Sequence, residues 1–168
     1  MLTGQPEKTD DAIIANDDFF PDVALIDFLL LYSVANNYES AALIYAVEQA
    51  IVKINLRLQA FKTLQQTAGY NTLNEYIIAH PNSIGNGDLL DHFYKKAVFC
   101  TAKAWVLIDA NGGVQKHTDD NMSLLDLNAT VQKWLNEADD AVYTFLAKFD
   151  LQNEPSLTGA KKLHIKLL

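Results

Sequence analysis

Four histidines, one cysteine and a few neighbouring carboxylates are the residues of this chain whose types could do chemistry. His80, His92, His117 and His164 are spread over a loop, a helix, a second loop and the C-terminal tail, and none has a second histidine at helical spacing. Asp88 and His92 stand one helical turn apart, as two metal ligands could, yet no third ligand is in view and the pair reads as a solvated helix start. Asp119 with Asp120 and Asp139 with Asp140 are adjacent on helical stretches and so point roughly 100° apart. That divergence prevents either pair from working as general acid and base on one substrate atom. The stretch "IGNGDL" has the glycines of a phosphate loop but neither the preceding strand nor the following lysine with serine or threonine. Cys100 sits inside the apolar run "KKAVFCTAKAWVLI", as a small core residue would. The expectation is a protein that is not an enzyme and carries no cofactor and no metal.

Charge and composition narrow the classes further. The chain has 168 residues, enough for one domain with a single sizeable core. Its 49% hydrophobic and 20% charged residues, with only 7 glycines and 4 prolines, are those of a folded globular chain. A net charge of −8 gives a mean field that repels phosphate, and Lys95, Lys96, Lys161, Lys162 and Lys166 form no stripe interleaved with aromatics. No specific nucleic-acid binding is expected. No apolar run reaches the roughly 18 residues of a membrane span, and "MLTGQPEKTDDA" lacks a basic start followed by an apolar stretch. Secretion and membrane insertion are not expected, and a lone cysteine fits a reducing cytoplasm.

Helical periodicity dominates, so the fold class expected is all-α: a bundle of about four helices, one short and three long. The short one should run from about Asp22 to Tyr32. The first long helix should start behind Asn37 as cap, with Glu39 in the first turn, and carry Leu43, Val47, Ile51, Ile54, Leu58 and Phe61 on one stripe as far as Gly69. That makes a single helix of about 30 residues, roughly 45 Å long. A short helical turn and a loop follow through Pro81, Gly85 and Gly87. The second long helix, capped by Asn86 or Asp88, carries Leu89, Leu90, Phe93, Ala97, Val98, Thr101, Ala104, Trp105 and Ile108, and stops at Asn111, Gly112 and Gly113. The third should begin near Thr118 and carry Met122, Leu125, Val131, Trp134, Ala138, Val142, Phe145 and Phe149. The chain thus divides into an N-terminal arm (1–16), a helical domain (17–149) and a C-terminal tail (150–168).

Two stretches do not fit a plain bundle. In "DDFFPD", Pro21 presets the backbone for a helix start and Asp22 suits its cap or first turn, while Phe19 and Phe20 should point in opposite directions along extended chain. One ring would enter the core and the other would meet a neighbouring chain, which makes Phe19, Phe20, Pro21 and Asp22 candidate subunit contacts. In the tail, Leu163, Ile165 and Leu167 alternate with His164, Lys166 and Leu168 as a short strand would. An all-helical body offers such a strand no sheet, so it either stays unstructured or pairs with another chain.

The run "NDDFFPDVAL", followed at the observed distances by "AVEQAIVKINLRLQAF", "AGYNTL", "FYKKAVFCTAKAWVLID" and "DDAVYTFL", resembles the head completion, or head stabilisation, proteins of temperate contractile-tailed bacteriophages, the GpL family. The likeness spans about Ile13 to Leu146. Departures are Phe61 in place of the usual tryptophan, a long "NEYIIAHPNSIGNGD" insert, and "IDANGG" in place of an arginine-rich stretch. The resemblance implies a structural neck protein of the virion, assembled in the bacterial host cytoplasm. It would join the portal protein after DNA packaging as a homo-oligomeric, dodecameric adaptor ring, help retain the genome, and support the tail terminator or tail completion protein. It also implies that Leu163, His164, Ile165, Lys166, Leu167 and Leu168 form a portal-binding tail. DNA would pass a non-adhesive lumen. The contrasting expectation is a free-standing helical interaction or regulatory module that forms no ring.

Overall fold

The structure, a computed structural model, describes residues 11–34, 38–85, 87–112 and 124–153. In chain order they form β1 (Ile13–Ile14), β2 (Val23–Ala24), α1 (Leu25–Leu31), α2 (Ser40–Arg57), α3 (Gln59–Thr67), α4 (Leu73–Ala79), β3 (Ser83–Ile84), β4 (Gly87–Asp88), α5 (Leu89–Gly112) and α6 (Leu124–Asn153). The class is all-α as expected, with six helices rather than four among the described residues. Two small antiparallel ladders join it: Ile13 faces Ala24 and Ile14 faces Val23 in one, and Ser83 faces Asp88 and Ile84 faces Gly87 in the other.

α5 is the central helix, packed against α2 on one side and α6 on the other. The periodic stripe predicted for the first long helix is the core stripe, since Leu43, Val47, Ile51, Ile54, Leu58 and Phe61 are all buried. The single 45 Å helix is not. α2 ends at Arg57 and α3 begins at Gln59, with Leu58 between them at φ −96° and ψ 7°, outside the helical region. Helical hydrogen bonds continue on both sides, from the Leu58 amide to the Ile54 carbonyl and from the Lys62 amide to the Leu58 carbonyl, each 3.0 Å. No glycine or proline marks this interruption. What it delivers is Phe61, whose ring meets Phe19, Tyr76, Phe145 and Phe149 edge-on. Tertiary packing, rather than a local breaker, is the physical reason.

α3 ends where expected. Gly69 has φ +100°, and the Gly69 amide reaches the Gln66 carbonyl while the Tyr70 amide reaches that of Gln65, the paired bonds of a Schellman stop. α4 starts on Thr72, whose hydroxyl accepts from the Glu75 amide at 3.1 Å. α5 starts on Asp88, which accepts from the Leu90 amide at 2.7 Å and from the Asn82 amide at 3.0 Å, so one carboxylate closes the preceding loop and opens the helix.

Other boundaries move. α2 begins at Ser40 with Glu39 in the cap position and no side-chain cap, and Asn37 lies outside the described residues. α1 begins at Leu25, not Asp22, because Val23 and Ala24 are taken by the ladder with β1. α6 runs to Asn153, past the predicted break after Phe149. Thr118 and Met122 lie outside the described residues, as does the tail with Leu163, His164, Ile165, Lys166, Leu167 and Leu168. Ile108 and Leu125, expected on buried faces, are exposed. Cys100 is buried, as expected, with its Sγ 3.9 Å from the Tyr32 hydroxyl. Burial pushes its thiol above the ordinary range, which leaves little reactive thiolate. Among the described residues no helix is long and apolar enough to cross a membrane.

Candidate functional site

Residues 16–22 make a corner that ties three parts of the chain together. It begins with the Asp17 carboxylate, one oxygen of which accepts from the amides of Phe19 (3.2 Å) and Phe20 (3.1 Å). An aspartate that bonds its own backbone two and three residues on is the usual way to build a tight turn. Asp18 sits inside that turn at φ +64°, a left-handed conformation that aspartate tolerates better than most side chains. The other Asp17 oxygen pairs with Lys62 of α3 at 2.8 Å. Burial pushes the Asp17 carboxyl up, but the Lys62 bond and the two amides together outweigh it and hold it below the ordinary carboxylate value.

The turn aims both phenylalanines inward. Phe19 is 1% and Phe20 3% exposed, and their rings meet edge-on with centroids 5.0 Å apart. The expected divergence of the two rings is thus corrected: an extended chain would separate them, whereas the Asp17 turn and the left-handed Asp18 do not leave the chain extended. Phe20 stacks flat on Tyr94 of α5 at 4.7 Å. Phe19 contacts Phe61 of α3, and its carbonyl accepts from the Leu73 amide at 2.8 Å, which pins the start of α4 to the corner.

Pro21 and Asp22 do not start a helix. The Pro21 carbonyl accepts from Asn16 Nδ2 at 2.8 Å, and Asp22 accepts from the Asn16 amide at 2.9 Å. Asn16 is the residue that sequence reasoning passed over. Its Nδ2 also donates to the Tyr94 hydroxyl (2.7 Å), the Tyr94 hydroxyl donates to Asn55 Oδ1 of α2 (2.7 Å), and Asn55 Nδ2 donates back to Asn16 Oδ1 (2.8 Å). This closed ring joins the N-terminal segment, α2 and α5. Burial raises the Tyr94 hydroxyl well above its ordinary value, which keeps it protonated and able to donate. The signal was thin, since Asn55 is 39 residues from Asn16 and Tyr94 is 78. Asn16 opens the run "NDDFFPDVAL" and Asn55 borders an apolar helical stripe, but nothing local in the sequence pairs them.

Outside the core, the corner forms one wall of an open groove of about 950 Å³, with α4 and the β3–β4 turn as the others. Its lining mixes Pro21, Ile77, Ile78 and Pro81 with the aspartates Asp18, Asp22, Asp88 and Asp91. Elsewhere the surface shows Tyr45, Val52 and Leu56 of α2, each more than half exposed and spaced by seven and four residues along one helix face. α6 is latched to the rest of the bundle by Lys96 with Glu137 and by Arg57 with Asp139, each at 2.7 Å. Among the described residues no three histidine, cysteine or carboxylate side chains gather as metal ligands would. Asp88 is occupied with its amides, and His92 is exposed. What the geometry offers is a helical body with an acidic groove on one side and an exposed apolar strip on α2.

Comparison with curated proteins and with solved structures gave no match. The family described as "phage head completion protein (GPL)" matches residues 14–151, from the inner residue of β1 almost to the end of α6. That range takes in the whole corner and every described helix but the last residues of α6, so this chain belongs to the phage head completion protein (GPL) family, a family of structural proteins.

Proposed function

We propose that this chain completes the phage head after DNA packaging by forming an adaptor ring on the portal, where it helps retain the genome and supports attachment of the tail. The observation that carries the reading is the family match across residues 14–151. A head completion protein is a virion component that contacts other parts of the head. A closed ring of identical subunits needs two different faces on each copy, because its interfaces are head-to-tail. The corner supplies one, through Pro21 and Asp22 at the surface over the buried Phe19 and Phe20. The strip of Tyr45, Val52 and Leu56 on α2 supplies the other, an exposed apolar row of the kind that marks an interaction surface. Twelve copies would match a dodecameric portal, and at −8 per chain the ring would present DNA with a repelling wall rather than an adhesive one. The tail residues Leu163, His164, Ile165, Lys166, Leu167 and Leu168 would anchor the ring by strand addition to the portal protein.

The test is to mix the purified chain with purified portal and image the product by electron microscopy. Ring density capping the portal, lost when residues 163–168 are deleted, is the expected result. Bare portals, with phage yield unaffected by the deletion, would leave instead a free-standing helical module.

A further inference from the structure

The groove beside the corner has a lining that its own body does not neutralise. Asp91 is paired with Lys95 at 2.9 Å. Among the described residues, Asp18, Asp22 and Asp88 have no cationic partner and no lysine, arginine or histidine lines the groove. The same groove is lined by Ile78, 71% exposed, and by Pro21 and Pro81. An occupant would need apolar side chains for Ile78 and the prolines, and positive charge for the three aspartates.

We propose that this groove is the docking site of residues 161–168 of the same chain. That segment, "KKLHIKLL", carries Lys161, Lys162 and Lys166 and no acid, in a chain that is acidic overall. In an extended conformation Leu163, Ile165 and Leu167 project to one side while Lys162, His164 and Lys166 project to the other, so one edge suits the isoleucine and prolines and the other the carboxylates. Position agrees with charge. Near the end of α6 the Phe149 ring lies 6.4 Å from that of Tyr76, on the core side of α4, and the next residues of α4, Ile77 and Ile78, line the groove. The last described residue is Asn153. Residues 154–160 then span up to roughly 25 Å when extended. A helix is about 10 Å across, so the connection is long enough to pass round α4 and enter the groove.

Docking of this kind covers Pro21 and Asp22. If the ring reading is right, the tail then shields a subunit face until the portal draws it away, and the free protein stays monomeric. That consequence rests on the proposed function; the docking itself does not.

The experiment uses the full chain without portal, so its outcome is separate from the fate of the ring. A nitroxide spin label is attached at Leu168→Cys in a Cys100→Ala background, and amide intensities are read by NMR on dilute protein. Expected is loss of most of the intensity at Ile78, Ser83 and Gly85, with little loss at Trp105, which lies 14 residues beyond Asp91, roughly 20 Å along α5. A mixture of isotope-labelled chain without the nitroxide and unlabelled chain carrying it should show no such loss. The triple change Lys161→Glu, Lys162→Glu and Lys166→Glu lies outside the described helices, and it should restore the groove intensities, as should Ile78→Lys. Full intensity at Ile78, Ser83 and Gly85 in the labelled chain overturns the proposal. Broadening in the mixture overturns docking within one chain, and groove broadening that survives the lysine changes overturns the charge basis.

Discussion

The corner at residues 16–22 and the outer face of α2 are opposites in composition and in fate. The corner is built from acids, an asparagine and a proline around two phenylalanines, and it is nearly all internal structure: both rings buried, and Asn16 bonded to Asn55 and Tyr94. The α2 face is one side of a helix whose other side is core, and it leaves Tyr45, Val52 and Leu56 in water. The stretch that looks most like an interface is thus the keystone of the monomer, while the least conspicuous helix presents the apolar surface. Both regions lie within the residues that match the family, 14–151, the one buried in the fold and the other exposed on it.

The sharpest way to break this contrast is to empty the corner. Phe19→Ala and Phe20→Ala should each cost about 3–5 kcal/mol, because each leaves a ring-sized hole in a close-packed site. Urea unfolding should show the two losses to be similar. One variant close to wild-type stability would mean that its ring is not the core anchor described here.

Tyr94→Phe should cost less, about 1–3 kcal/mol, while keeping the stack on Phe20. The phenyl ring leaves Asn16 Nδ2 and Asn55 Oδ1 each short of a partner in a part-buried site. Replacing all three members at once, as Asn16→Ala, Asn55→Leu and Tyr94→Phe, should cost less than the sum of the three separate changes, since the polar groups then vanish together. Strict additivity in thermal unfolding would show that the three do not act as a ring.

The same network shows where sequence reading stops. The stripe from Leu43 to Phe61 is legible because helical period and burial coincide, and Gly69 and Asp88 are legible because a stop and a cap are local chemistry. The interruption at Leu58 is not, since no residue near it breaks a helix and Phe61 just behind it packs on rings from α4 and α6 that are distant in sequence. Nor is the inward turn of Phe20, which depends on Tyr94 across the core. Pro21 and Asp22 read locally as a helix start, and that reading loses to a two-residue ladder with Ile13 and Ile14. The exposed strip on α2 was hidden for a different reason. Tyr45, Val52 and Leu56 stand roughly 160° round the helix from the core stripe, so a reading that follows one apolar stripe leaves the opposite face unread.

Acid should separate the two regions more gently. Asp17 has a folded value below its ordinary 3.8, so its contribution is fully present above that value and is lost as pH falls through the depressed one. Glu137, lowered chiefly by its bond to Lys96, acts in the same direction from its ordinary 4.5. Stability measured by urea at about pH 7 and again near pH 3 should therefore fall, and Lys62→Met should flatten the Asp17 share of that fall. A Lys62→Met chain with an unchanged acid slope would show that the Asp17 turn holds without its cation.

Smallest in stability and largest in assembly should be the changes on the α2 face. Val52→Ser and Leu56→Ser remove side chains that are 54% and 70% exposed, so each should shift unfolding by no more than about 0.5 kcal/mol. A ring repeats the loss at every interface, and a contact weakened by about 1.4 kcal/mol is tenfold weaker at each. The double variant should therefore fold as well as the parent yet fail to cap portals in electron micrographs. Rings that form normally would remove α2 from the interface and leave the corner side, with Pro21 and Asp22, as the face that meets a neighbour. A double variant that unfolds would mean instead that the α2 face is part of the core after all, and the division between keystone and contact surface would go with it.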